Sequence, residues 1–201
     1  MMTVVVTGGI GSGKSLVCRI LNEEFGWPVY NADSRVKQLY LSHPTLLSEI
    51  EMALGESFRG DDGAFMPAKL AQRIFSDNAA LLRVEALVFP CLTDDFEVWK
   101  QENFQSAYII LESATILEKP QLRTMGDKFV LIDAPLDVRA GRAMVRDGLS
   151  EEQVAARLAN QPMMNSYSNG TEAPDVDYVI YNDSSVENLR EKVADLVRKI
   201  G

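Results

Sequence analysis

Residues 7–15 read Thr7-Gly8-Gly9-Ile10-Gly11-Ser12-Gly13-Lys14-Ser15, and from Gly8 to Ser15 they fit the pattern G-x-x-x-x-G-K-[ST] without a mismatch. The short apolar run Val4-Val5-Val6 precedes them. A helical pattern follows, with Val17, Ile20 and Leu21 on one face and Gly26 as its stop. A strand that turns through glycines into a helix is the setting in which this pattern binds phosphate. A phosphate chain needs several donors converging on it, and a glycine-rich turn lets backbone amides close on the ligand without Cβ clashes. The helix that begins near Gly13 adds its amino-terminal partial positive charge. Lys14 is placed to reach the β and γ phosphates, and the Ser15 hydroxyl to coordinate Mg²⁺.

Two other readings of the glycines fail on the residues themselves. A dinucleotide-binding turn would need a third glycine where Lys14 stands. A guanine-reading Asn-Lys-x-Asp string is absent from the chain. ATP is the nucleotide that remains.

Outward from the loop, Tyr108-Ile109-Ile110-Leu111, Phe129-Val130-Leu131-Ile132 and Tyr178-Val179-Ile180-Tyr181 are continuous apolar runs, as strands covered on both faces should be. Pro28-Val29-Tyr30 is a weaker fifth. Helical patterns separate them, which predicts a parallel five-stranded α/β sheet flanked by helices. The last helix is expected from a Ser184–Glu187 capping box onward, burying Leu189, Val193, Leu196, Val197 and Ile200. A Ser150–Gln153 box after Gly148 divides a helix over 136–147 from one over 150–160. Residues 43–104 carry helical stretches, including 69–75 and 78–88, with almost no strand signal, and read as a helical insertion into a core of residues 1–42 and 105–201. Residues 162–176 read as an irregular polar loop.

The composition narrows the partners. With 20 Lys and Arg against 29 Asp and Glu, the net charge is −9, which argues against a broad grip on nucleic acid. The two cysteines, Cys18 and Cys91, lack the spacing of a zinc site or a disulfide framework. No run approaches the roughly 18 to 20 apolar residues of a membrane span, and the N-terminus has no targeting pattern. A cytoplasmic protein without membrane or nucleic-acid partners is expected.

Several residues near the predicted strand ends could act with the loop. Asp33 follows the second strand, where its carboxylate could take the proton of a substrate hydroxyl or could cap a helix from Ser34. Arg139, Arg142 and Arg146 lie on the helix after the fourth strand, and the spacing of Arg142 and Arg146 puts them on one face. That pair suits closing over transferring phosphates, with Gly148 allowing a lid around residues 139–162. Glu112 and Asp133 end the third and fourth apolar runs, and either could support the Mg²⁺ site. The single histidine, His43, stands before Pro44 at a helix entry.

Together these residues resemble the dephospho-coenzyme A kinase family, a group of P-loop kinases. The resemblance rests on Thr7 to Ser15, Asn31-Ala32-Asp33, Arg73-Ile74-Phe75, Arg142 with Arg146, Gln161, and the late strand Tyr178 to Asn182. It departs from the family where Asn31 stands in place of Asp and Phe89-Pro90 in place of His-Pro. The resemblance implies transfer of the γ-phosphoryl of ATP, with Mg²⁺, to the ribose 3′-hydroxyl of dephospho-coenzyme A. It implies Asp33 as base, Lys14 and Ser15 as the phosphate and Mg²⁺ contacts, Arg142 and Arg146 as the lid, Gly8 to Leu16 around the nucleotide, and Asn182 near the adenine. The helical insertion would hold the acceptor. A different small-molecule or nucleoside kinase is the alternative, and a regulatory ATPase a more distant one.

Overall fold

A computed structural model of the chain describes residues 1–148, 150–159 and 175–201. The chain forms two compact units: a loop-bearing unit, Met1–Asn31 with Glu102–Gly201, and a helical unit, Ala32–Gln101.

The loop-bearing unit contains five strands: β1 (Met2–Thr7), β2 (Val29–Asn31), β3 (Tyr108–Glu112), β4 (Lys128–Asp133) and β5 (Tyr178–Tyr181). They pair in the order β2-β3-β1-β4-β5, every pair parallel. The central strand β1 is buried from Thr3 to Thr7, which is why its sequence runs apolar instead of alternating. Val4, Val6, Ile110, Val130 and Ile132 form one core with α1 (Lys14–Phe25) and the last helix, Val186–Ile200, numbered α8 below. α1 contributes Val17, Cys18, Ile20 and Leu21, and α8 contributes Leu189, Val193 and Leu196. Each fully buried aliphatic side chain of this kind is worth about 1.5–3 kcal/mol over exposure. α1 stops at Gly26, whose φ of 69° is left-handed and whose N–H donates to Asn22 O.

Because all five strands run the same way, Thr7, Asn31, Glu112, Asp133 and Asn182 come to one edge of the sheet, their carboxyl ends. Open α/β sheets place ligands at that edge. Two 3₁₀ segments, Ile116–Glu118 and Pro120–Met125, link β3 to β4. They have no clear periodicity in the sequence. After β4 come α6 (Leu136–Asp147) and α7 (Glu151–Ala159). α7 opens on the expected reciprocal box, in which Ser150 N donates to Gln153 Oε1 (2.9 Å) and Gln153 N to Ser150 Oγ (3.3 Å). Gln161, most of the polar loop expected over 162–176 and part of the lid expected around 139–162 lie outside the described residues.

The helical unit consists of α2 (Ala32–Ser42), α3 (Leu46–Leu54), α4 (Pro67–Ser76) and α5 (Asn78–Glu102). α5 buries Ala80, Val84, Val88, Leu92 and Phe96, one residue every four, a single stripe along its length. Asp77 caps it, its Oδ1 accepting from Ala79 N (2.8 Å) and Ala80 N (3.2 Å). His43 marks a helix entry, with Nδ1 accepting from Leu46 N at 3.2 Å.

Local expectations shift in four places. The helical unit starts at Ala32 and ends at Gln101, instead of spanning 43–104. α2 starts at Ala32 directly after β2, so Asp33 sits in the first helical turn and does not cap a helix from Ser34. The cap of α8 is Ser185, extended at φ −74° and ψ 163°, whose Oγ accepts from Asn188 N; Ser184 bonds the Asn188 side chain instead. α5 continues through Pro90, since losing one N–H is offset by a buried stripe that extends on both sides of it. Among the described residues no helix is long and apolar enough to cross a membrane.

Candidate active site

The loop from Gly8 to Gly13 takes its shape from positive φ at three glycines: Gly8 at 147°, Gly11 at 74° and Gly13 at 100°. Ser12 N closes a turn on Gly9 O at 3.1 Å. α1 then begins at Lys14 with Gly13 as its N-cap, which offers no side-chain cap hydrogen bond. A helix start that carries no side-chain cap presents its partial positive charge to an anion. The half-buried Lys14 ammonium donates to Gly8 O at 2.7 Å and to Gly9 O at 3.3 Å, so it lies across the base of the loop. A glycine turn, a helix start without a side-chain acceptor and a lysine beside both together fit a phosphate chain.

On the next strand, Glu112 is buried and accepts from two side chains. Ser15 Oγ–H donates to Oε1 at 2.7 Å, and the Asn31 amide donates to Oε2 at 2.8 Å. The β2–β3 register puts Asn31 and Glu112 directly opposite each other, which brings the amide and carboxylate together. Of the two acids that end strands, Glu112 is the one bonded to Ser15. Cys18, one turn along α1, lies close enough that burial first, and the Glu112 charge second, push its thiol well above the ordinary value. A hydroxyl held by a strand-end carboxylate at the start of α1 fits a Mg²⁺–phosphate contact.

The other side of the loop is built by α6 and the end of β5. Asn182, buried, donates its side-chain amide to Ser12 O at 2.8 Å, while its backbone N–H donates to Asp133 O at 2.7 Å. A Cβ on Gly13 would collide with that same amide. Arg142 donates to Asn182 O at 3.0 Å. Asn182, expected near the adenine, therefore braces the loop directly, and Arg142 braces Asn182. Arg139 is fully buried, and its Nε–H donates to Ile10 O at 3.1 Å. Burial draws its guanidinium below the ordinary arginine value, against the opposing pull of Asp133. Arg146 is exposed on α6, and Asp33 is exposed in α2 of the helical unit.

Sequence reading singled out the loop, Lys14 and Ser15, and left Glu112 and Asp133 as alternatives beside them. It missed the Asn31–Glu112 bond and the packing of Arg139 beneath the loop. The first depends on strand register; the second had one visible trace, glycine at positions the motif leaves free.

The chain is similar to known proteins over nearly its whole length. A family profile for dephospho-CoA kinase (CoaE) matches residues 2–188. The dephospho-CoA kinase of Porphyromonas gingivalis is 37% identical over 161 residues, which cover 80% of this chain and 78% of that one. That of Neisseria meningitidis serogroup A is 31% identical over 193 residues, 95% of this chain and 89% of the relative. Among solved structures, TT1252 from Thermus thermophilus superposes with a TM-score of 0.82 at 26% identity, covering 100% of this chain and 98% of its own. The Campylobacter jejuni dephospho-CoA kinase shares the fold at a TM-score of 0.64 and 22% identity, covering 98% and 96%. With the profile spanning nearly the whole chain and the loop, strand ends and bracing residues in place, the chain belongs to the dephospho-CoA kinase family.

Proposed function

We propose that the chain phosphorylates the ribose 3′-hydroxyl of dephospho-coenzyme A at the expense of ATP, completing coenzyme A. The observation that carries this reading is the Lys14–Ser15–Glu112 arrangement at the start of α1, in a chain that matches the family profile from residue 2 to 188. The loop amides and Lys14 hold the β and γ phosphates. Ser15 would hold Mg²⁺, which would supply neutralisation of the phosphate charge. Glu112, tied to Asn31, fixes the direction of the Ser15 hydroxyl.

Asp33 takes the proton of the acceptor 3′-hydroxyl as its oxygen forms a bond to the γ-phosphorus. The bond from that phosphorus to the β–γ bridging oxygen breaks, and ADP departs. Arg142 and Arg146 stabilise the charge on the transferring group. Asn182 holds the loop that carries the nucleotide, and the helical unit holds the acceptor.

The test is ADP release with and without dephospho-coenzyme A, beside a panel of other hydroxyl acceptors, for the wild type and Asp33→Asn. Wild type should release ADP only with dephospho-coenzyme A. Asp33→Asn should lose about two to four orders of magnitude in rate, the usual scale for a general base. No acceptor-dependent release by the wild type would sink the reaction. A fully active Asp33→Asn would leave the reaction standing and remove Asp33 as its base.

A further inference from the structure

Arg139 is the bulkiest fully buried side chain among the described residues. A cation in that position is costly to desolvate, and an apolar side chain would fill the same space with less penalty. Its surroundings indicate what offsets the cost. Nε–H donates to Ile10 O at 3.1 Å, at the tip of the phosphate loop. The guanidinium fills the place a Cβ on Gly9 would take, and the Arg139 backbone carbonyl fills the place a Cβ on Gly11 would take.

The motif fixes glycine only at positions 8 and 13, so the glycines at 9 and 11 need another explanation. Gly11 has a positive φ, which favours glycine by itself. Gly9 does not: its φ lies outside the left-handed region, so φ alone does not call for glycine there. What a side chain at Gly9 would have to displace is the guanidinium of Arg139.

We infer that Arg139 is a positioning residue for nucleotide binding: it holds residues 9–11 from beneath in the shape that aims the loop amides at the β and γ phosphates. This rests on the loop being the nucleotide site. Anchoring of this kind affects ligands that reach the loop and leaves the rest of the nucleotide alone. It therefore grades affinity by phosphate number, which a general structural role would not do.

The experiment is calorimetric titration, with Mg²⁺ present, of adenosine, AMP, ADP and the β,γ-imido analogue of ATP into the wild type, Arg139→Met and Arg139→Lys. The wild type must bind ADP; if it does not, the nucleotide reading itself fails and the inference goes with it. In Arg139→Met, affinity for ADP and the triphosphate analogue should fall about tenfold or more, the scale of losing a hydrogen bond from a charged group. AMP and adenosine should bind as before, and Arg139→Lys should lie between. Equal losses for all four ligands, or no loss for ADP, would overturn the inference. Should Arg139→Met fold poorly, Gly9→Ala tests the same contact, because its Cβ displaces the guanidinium. Combined with Arg139→Ala it should cost no more ADP affinity than Gly9→Ala alone, whereas additive losses would refute the shared contact.

Discussion

The two units differ in what they bury. Among the described residues, every buried polar or charged side chain, from Thr3 and Thr7 through Ser12, Glu112, Ser113, Asp133 and Arg139 to Asn182, belongs to the loop-bearing unit. In the helical unit the buried side chains are apolar: Ala32, Leu39, Leu46, Leu47, Ile50, Phe58, Leu70 and the α5 stripe. Its charged contacts stay at the surface, as in Arg35–Asp95, Arg59–Glu51 and Arg73 with Glu56 and Asp77. Polar burial costs stability unless each group finds a partner. A unit that buries such groups, most of them near one sheet edge, is arranged to hold a charged ligand, whereas one with an apolar core keeps its polar groups, Asp33 among them, outside it. Stability and ligand binding should therefore respond to substitution separately in the two units.

The largest expected effect is in the helical unit. Phe96 is fully buried in α5 and stacks on Trp99 at 6.1 Å between ring centroids. Phe96→Ala should cost about 3–5 kcal/mol in urea unfolding, the range for emptying an aromatic site in a core. ADP affinity of the folded variant should be unchanged, and a parallel fall in affinity would break the division between the units.

A smaller effect is expected at Glu112. In Glu112→Gln a second amide faces Asn31, and one donor loses its acceptor, at a cost of about 1–3 kcal/mol for a buried polar group. The loss should appear in urea unfolding and in Mg²⁺–ADP titration alike. Adding Asn31→Asp reverses the polarity of the pair, so that the introduced glutamine amide donates to the introduced carboxylate. Recovery of ADP affinity would sharpen the assignment, and no recovery would refute a specific role for the Asn31–Glu112 bond.

The smallest effect concerns Glu51, half-buried in α3 of the helical unit. Burial pushes its carboxyl up, but the Phe58 N–H, Ser57 and Arg59 outweigh that and hold it below the ordinary value. A depressed folded value means its contribution is full above the unfolded glutamate value of about 4.3 and fades as pH falls below it. Glu51→Gln should cost under about 1 kcal/mol at neutral pH, the surface scale. The gap to wild type should narrow between pH 5 and pH 3, the pH range about 4.3 in which the carboxylate is protonated. A gap that widens on acidification would contradict the sign.

How much of this could be read from the chain depends on whether the deciding contacts are local. The loop, α1 and the four strong strands follow from contiguous residues, since the motif, the Gly26 stop and doubly covered apolar runs all signal within a few positions. The Ser150–Gln153 box was equally visible. Contacts set by register or by tertiary packing were not: the Asn31–Glu112 bond needs β2 to lie beside β3 in one alignment. The chain also did not reveal that Arg139 is internal while Arg146, on the same helix, is exposed. The substitution of Asn for Asp at position 31, a bare departure in the sequence, becomes intelligible beside Glu112. An amide there donates to the carboxylate, where a second carboxylate would repel it.

The two cysteines fall one in each unit, and neither is a ready nucleophile. Cys18 is buried in α1 beside Glu112, and Cys91 is half-buried in α5, its thiol also pushed up by burial, then by Glu49 and Asp94. The loop-bearing unit thus carries a chemical clock of its own. A thiol reagent meets the half-buried Cys91 with α5 in place, but it reaches the buried Cys18 only when α1 lifts from the sheet and the phosphate loop comes apart. The Cys18 labelling rate reads the opening of that unit, with Cys91 as the internal reference and without any added probe.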